Sequence, residues 1–101
     1  MSTAFDEQCY ALLMRIPEGK VTTYREMARA LNSRAWRAVG SAMAKNTRLI
    51  EVPCHRVVRS NGEIGEYALG PDKKADLLGS EGVPVSRGRV EDLASVMHRF
   101  D

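Results

Sequence analysis

The sequence predicts a mostly α-helical domain with a short β-hairpin, organised around a winged-helix-like helix-turn-helix, and three observations carry that prediction. Apolar residues recur at helical spacing in several separate segments. Two short helical segments flank the tight Asn32-Ser33 turn, the outline of a helix-turn-helix. Asn61-Gly62 lies between apolar runs, which is the strongest short-range hairpin signal.

From Thr3 onward, Phe5, Cys9, Leu12, Leu13 and Ile16 fall on one helical face, and Asp6 and Glu7 occupy the first turn, where the helix dipole favours acids. Cys9 on that face is expected to be a protonated, inert core thiol. Pro17-Glu18-Gly19-Lys20 stops the helix, and Val21-Thr22 forms a short extended link. Thr23-Tyr24-Arg25-Glu26 matches a capping box, in which threonine closes the first turn and glutamate reaches back. A second helix follows through Met27, Ala28 and Leu31, and a third runs from Arg34 to about Lys45. Six of the ten residues from Ala35 to Ala44 are Ala, Gly or Ser. So thin a helix can approach another backbone closely, either a neighbouring helix or the floor of a narrow DNA groove, and composition leaves both open.

Asn46-Thr47 begins an extended connection through Leu49, Ile50 and Val52 into Pro53-Cys54-His55-Arg56-Val57-Val58, which reads as a short half-buried strand. Proline fixes the approach and so the direction of the thiol. Neighbouring side chains on a strand face opposite ways, so His55 needs a local turn or a water to reach the sulfur. A reactive thiol and a buried structural cysteine beside a surface histidine both fit this stretch. Pro71 opens a fourth helix carrying Ala75, Leu77 and Leu78, stopped by Gly82. Val83-Pro84-Val85 is extended, and Val90, Leu93, Ala94, Met97 and Phe100 form a last amphipathic helix, with Glu91 and Asp92 early and Arg99 late.

At 101 residues the chain is one domain, residues 1–101, and 44% hydrophobic with 28% charged residues is the composition of an ordinary folded protein. Two cysteines make no disulfide framework, and two histidines without a Cys-x-x-Cys offer no zinc site. No metal and no cofactor is expected. Met1-Ser2-Thr3 is polar and no long apolar run follows, so neither a signal peptide nor a membrane span is expected. A free thiol implies a reducing intracellular compartment. Fifteen basic against thirteen acidic residues give a net charge of +2, too mild to indicate nucleic acid by itself.

At Pro53-Cys54-His55-Arg56-Val57-Val58 the chain resembles the O6-alkylguanine-DNA alkyltransferases. The likeness extends to Val21-Thr22-Thr23-Tyr24, Glu26-Met27-Ala28, Arg37 to Met43, Asn46, Asn61-Gly62, Gly65, Tyr67, Gly70, Lys74, Leu77-Leu78 and Glu81-Gly82, in the family's order. It covers roughly residues 4 to 85, the family's C-terminal DNA-binding and active-site domain. The resemblance implies that Glu81 orients His55 and that His55, through a water, deprotonates Cys54, which takes an alkyl group irreversibly from O6 of guanine. This is the logic of a base-activated nucleophile.

The target base must leave the duplex to react. By the same resemblance Tyr24 assists that rotation and donates to the base, Arg37 enters the stack, and Ala38, Gly40, Ser41 and Met43 belong to the groove-facing helix. Asn46 holds the helix to the active-site strand, and Val57, Tyr67, Ala68 and Leu69 shape the pocket. The partner is then duplex DNA containing O6-alkylguanine. The resemblance further implies a monomer, absent from membranes and cytoplasmic with the nucleoid, or nuclear in a eukaryote.

The family's usual N-terminal domain is expected to be absent, which makes the chain a minimal version or a domain detached from a fusion to another repair or regulatory domain. Trp36 stands where small residues are usual, to stack on sugar or to turn back into the core. Leu69 replaces a small residue and is expected to narrow the pocket. Two other functions are weighed: a damage sensor of the alkyltransferase-like kind, which has tryptophan in place of the cysteine, and a winged-helix regulator, which gives the Cys-His-Glu set no task.

Overall fold

In the computed structural model, residues 3–100 are described; the polar start at Met1 and Ser2 lies outside them. Thr3 caps the first helix, α1 (Ala4–Leu13), through a reciprocal box: its hydroxyl accepts the Asp6 amide at 3.1 Å and the Asp6 carboxylate accepts the Thr3 amide at 2.9 Å. Cys9 and Leu13, with Ile16 beyond the helix end, are buried as the periodicity predicts. Burial pushes the Cys9 thiol up to about 11, so it stays protonated at neutral pH. The Tyr10 hydroxyl donates to the Ala42 carbonyl at 2.8 Å, tying α1 to the third helix.

Strand β1 (Thr22–Thr23) leads into α2 (Tyr24–Ala30). Half of the expected box forms here: the Thr23 hydroxyl accepts the Glu26 amide at 3.0 Å. The Glu26 carboxylate does not reach back but takes Arg29 through Nε at 2.8 Å and Nη2 at 2.6 Å, because a two-pronged charged donor outcompetes one neutral amide. After the Asn32 turn, α3 spans Trp36–Ala44. It starts two residues later than Arg34, since the Ser33 hydroxyl accepts the Ala35 amide at 2.9 Å and holds the turn open. Helices α2 and α3 form the predicted helix-turn-helix.

The expected strand at Cys54 is instead a single 3₁₀ turn, Cys54–Arg56. The Cys54 amide bonds the Val52 carbonyl at 2.8 Å and the Arg56 amide bonds the Pro53 carbonyl at 3.0 Å, so the chain curls before it extends. Strand β2 is only Val57–Val58 and runs parallel to β1, with Thr22 opposite Val57 and Thr23 opposite Val58. It is therefore no arm of an Asn61-Gly62 hairpin. The turn itself forms, with Gly62 at φ 93° and the Arg59 amide bonded to the Glu63 carbonyl at 2.8 Å, but Glu63 then bridges to Arg89.

Helix α4 (Pro71–Ser80) begins at proline as predicted and ends at Glu81. The hairpin lies further on, between β3 (Val85–Ser86) and β4 (Arg89–Val90). Its two turn residues, Arg87 and Gly88, have φ of 56° and 75°, the positive values that a two-residue hairpin turn requires. Val90 is thus in a strand, and the last helix, α5, is reduced to Leu93–Val96. Beyond it the backbone extends because an unpaired edge is available: the Val21 amide donates to the Val96 carbonyl at 2.9 Å and the His98 amide to the Val21 carbonyl at 2.6 Å.

Two apolar clusters result. One joins α1, α2 and α3 with Val52, Cys54 and Val57; the other gathers Val21, Val58, Ile64, Leu78, Val83 and Val90. The segment from Cys54 to Val58 passes from the first into the second, so packing on both sides fixes where the thiol sits.

Candidate active site

Cys54 is 5% exposed, and its residual surface opens on a cavity of about 870 Å³. Tyr24, Arg37, Gly40, Ser41 and Met43 from the helix-turn-helix wall one side, and Tyr67 and Ala68 from the loop before α4 wall the other. The 3₁₀ turn places His55 behind the thiol, wholly buried. Its Nε2 lies 3.0 Å from Glu81 Oε2. Arg56 clamps the same carboxylate, Nε to Oε1 at 2.9 Å and Nη2 to Oε2 at 2.8 Å, and anchors itself on the Ile16 carbonyl at 2.8 Å.

The charges in this set follow from its partners. Burial alone raises the Glu81 carboxyl, but the Arg56 and His55 bonds outweigh it and hold the group below the usual carboxylate range. Burial lowers His55 against the opposing pull of Glu81, so the imidazole is neutral near pH 7. A carboxylate only accepts, so the ring proton sits on Nε2 and the lone pair on Nδ1. That Nδ1 is buried and has no hydrogen-bond partner among the described residues.

Burial also raises the Cys54 thiol, while a hydrogen bond from Asn46 and the charge of Lys74 pull it down. Asn46 stands behind the cavity rather than in its wall, donating through Nδ2 to the Val52 carbonyl at 2.9 Å and accepting the Arg48 amide at 3.0 Å. It links the end of α3 to the approach to Cys54. Val57 is buried beneath the wall, and Ala38 is part of α3 outside it. Leu69 does not narrow the cavity: the Tyr67–Gly70 turn carries it outward, 53% exposed and off the wall. Trp36 does not enter the core; it is 48% exposed at the mouth.

Two residues named in the sequence were given no role there. Lys74 is 1% exposed and donates to the Val57 carbonyl at 2.7 Å and the Glu66 carbonyl at 3.1 Å. Its ammonium lies 6.0 Å from the Tyr24 ring centroid, and among the described residues it has no carboxylate partner. Burial brings its pKa down to about 8, with the Cys54 thiolate opposing the fall. Its place four residues before Leu78, on the inner face of α4, was the available signal. The Arg56 clamp is the second; its basic side chain in a buried apolar run pointed to a buried acceptor.

Fold and site together define a helix-turn-helix domain built around a cysteine thiol backed by an Arg-held Glu–His pair. Residues 4–83 match the family described as 6-O-methylguanine DNA methyltransferase, DNA binding domain, and the chain belongs to that family. A bifunctional methyltransferase/endonuclease of Picrophilus torridus is 39% identical over 91% of this chain and 31% of its own length. A methylated-DNA–protein-cysteine methyltransferase of Saccharolobus islandicus is 49% identical over 72% of this chain and 47% of its own. The chain thus spans about a third to a half of these curated relatives.

Among solved structures, S. pombe Atl1 in complex with damaged DNA containing O6-carboxymethylguanine superposes with a TM-score of 0.85 at 33% identity, over 98% of this chain and 99% of that one. The O6-methylguanine-DNA methyltransferase of Pyrococcus kodakaraensis superposes with a TM-score of 0.75 at 46% identity, over 80% of this chain and 47% of that one. Among the described residues no helix is long and apolar enough to cross a membrane, and no group of three or more His, Cys, Asp or Glu could hold a metal ion.

Proposed function

We propose that this domain repairs duplex DNA by moving the alkyl group of an O6-alkylguanine onto Cys54, once per protein molecule. The observation that carries this reading is the hydrogen bond from buried His55 to Glu81, which leaves a basic ring nitrogen on the residue that follows a thiol opening on a cavity walled by a helix-turn-helix. Through a bridging water, His55 Nδ1 takes the Cys54 proton. The thiolate forms a C–S bond as the C–O6 bond breaks, and the departing guanine anion takes a proton from the Tyr24 hydroxyl, which is restored through solvent by the Cys54 proton held on His55. The thioether has no leaving group that water can displace, so the reaction stops after one turnover.

Lys74 supplies a positive charge that favours the thiolate while it forms. The cavity requires the guanine to be swung out of the stack. Arg37, exposed on α3 at the cavity wall, fills the gap, and the small residues around it let α3 lie in the minor groove, whose poor sequence readout suits a lesion found in any context. The damaged-DNA complex of Atl1 and the DNA complex of the M. tuberculosis relative, 36% identical with a TM-score of 0.79, support duplex DNA as the partner.

Damage sensing without transfer is the second reading, favoured by the end-to-end superposition on Atl1. Incubation with a duplex carrying O6-methylguanine, followed by intact-mass measurement, tests between them. Transfer adds one methyl-sized increment; sensing adds none at full binding.

A further inference from the structure

Trp36 is the chain's single tryptophan and opens α3 with about half its surface exposed. An isolated exposed indole needs no explanation, but this one is not isolated. The Arg25 guanidinium stands 6.0 Å from its ring centroid, a spacing at which cation and ring attract. Both residues wall the Cys54 cavity, and both also wall a shallow depression beside it, completed by Ala28, Arg29, Arg34, Asn32 and Ser33. The Trp36–Arg25 pair is therefore the ridge between the two hollows. Among the described residues no carboxylate lines the depression; Arg29 is engaged by Glu26, while Arg34 is exposed.

A planar aromatic surface flanked by guanidinium groups, beside a depression whose lining is polar and cationic apart from Ala28, fits a planar aromatic ring joined to an anion. A nucleotide has that chemistry: bases stack on aromatic faces with little regard to sequence, and guanidinium groups hold phosphate oxygens. The cavity, at about 870 Å³, also lies in the upper part of the ~300–1,000 Å³ range of pockets that hold drug-sized ligands, more room than one base fills.

We propose that the Trp36–Arg25 ridge is a second nucleotide-binding platform, taking the nucleotide next to the extruded guanine, its base against the Trp36 indole and its phosphate in the depression beside Arg25 and Arg34. This rests on the repair reading, since the neighbouring nucleotide is at hand only when a DNA strand delivers a base to Cys54.

Because Trp36 is the only indole, its emission reports the platform in the unaltered protein. Titration with a duplex carrying O6-methylguanine is expected to quench that emission with the same midpoint as binding followed by anisotropy of a labelled duplex. Trp36→Ala is expected to weaken binding by about 5- to 150-fold, the loss of one stacked base, and Trp36→Phe to recover most of it. Arg25→Gln should lower the salt slope of binding by about one ion.

Unchanged emission at saturation overturns the platform, as does quenching without any affinity loss in Trp36→Ala. The methyl-sized mass gain, read on the same wild-type samples, separates the two proposals. Mass gain without quenching removes the platform and leaves repair standing; quenching with the affinity loss but no mass gain removes repair and leaves the nucleotide platform.

Discussion

His55 and Glu81, 26 residues apart in sequence, meet at 3.0 Å through Nε2, and the Arg56 clamp keeps the carboxylate from turning away. The pair fixes which ring nitrogen is basic. In the proposed transfer, a neutral, oriented imidazole serves Cys54 without the thiol touching the acid, a division of labour between orientation and proton transfer.

Glu81→Gln keeps the shape and removes the charge. An amide can turn its nitrogen toward His55 and stabilise the wrong tautomer, and a positioned base contributes about 10²–10⁴ in rate. Single-turnover transfer is expected to slow by at least about 100-fold, while Arg56, deprived of its ion pair, lowers the melting temperature as well. Transfer within threefold of wild type would show that His55 needs no orienting acid.

The transfer rate should respond to acid only late. Burial holds His55 below its ordinary value of 6.5, so the base stays neutral down to about pH 6.5, and the rate then falls with pH through the folded value. Stability follows the same sign. Between the folded value and 6.5 the unfolded chain binds more protons, so the contribution of neutral His55 is complete above about 6.5 and is lost as pH falls. Rapid-quench transfer between pH 5 and 8 checks this; a rate already falling at pH 7.5 contradicts it.

Lys74 has its ordinary 10.5 lowered to about 8. From about 8 to 10.5 the unfolded chain binds more protons, so stability should rise with pH across that window, by on the order of 3 kcal/mol. The rise should be missing from Lys74→Met. Urea unfolding in a Cys54→Ala background, taken as the difference with and without Lys74→Met so that the opposing titration of Cys9 cancels, reads it. At neutral pH, with Cys54 present, Lys74→Met is expected to slow transfer, since the thiolate loses a charge that favours it.

The two thiols should separate cleanly under alkylation. Cys9 is sealed in the core with its thiol raised to about 11, whereas Cys54 opens on the cavity. Iodoacetamide at pH 8 should add one label to the native protein, on Cys54, and two after unfolding. Native labelling of Cys9 would show that the first apolar cluster opens.

Asn46 ties the end of α3 to Val52 by a buried bond of 2.9 Å. Asn46→Ala leaves the Val52 carbonyl and the Cys54 thiol without that donor, a loss of about 1–3 kcal/mol by urea unfolding, accompanied by slower transfer.

The helix-turn-helix was legible because Thr23, the Asn32-Ser33 turn and the apolar spacing all act locally, and the Cys54-His55 pair was legible as a candidate site. Elsewhere distant parts of the chain decided. Two-residue alternation through Cys54 failed because Pro53 and the Val52 carbonyl curl the chain into a turn. Asn61-Gly62 made its turn, yet β1 had already taken the edge that a hairpin would need. The hairpin that formed turns at Arg87-Gly88, and arginine is not a residue that announces a positive φ. The last helix shortened because Val21, some 75 residues earlier, offered backbone groups to pair. Lys74 and Arg56 acquire their partners only when α4 packs on the 3₁₀ turn.

The central claim, a single alkyl group accepted by Cys54, is tested most directly by intact and peptide mass spectrometry after one turnover with O6-methylguanine duplex. The account predicts one methyl-sized gain confined to the Cys54 peptide and none in Cys54→Ala. Saturated binding with no gain, or a gain that persists in Cys54→Ala, contradicts it.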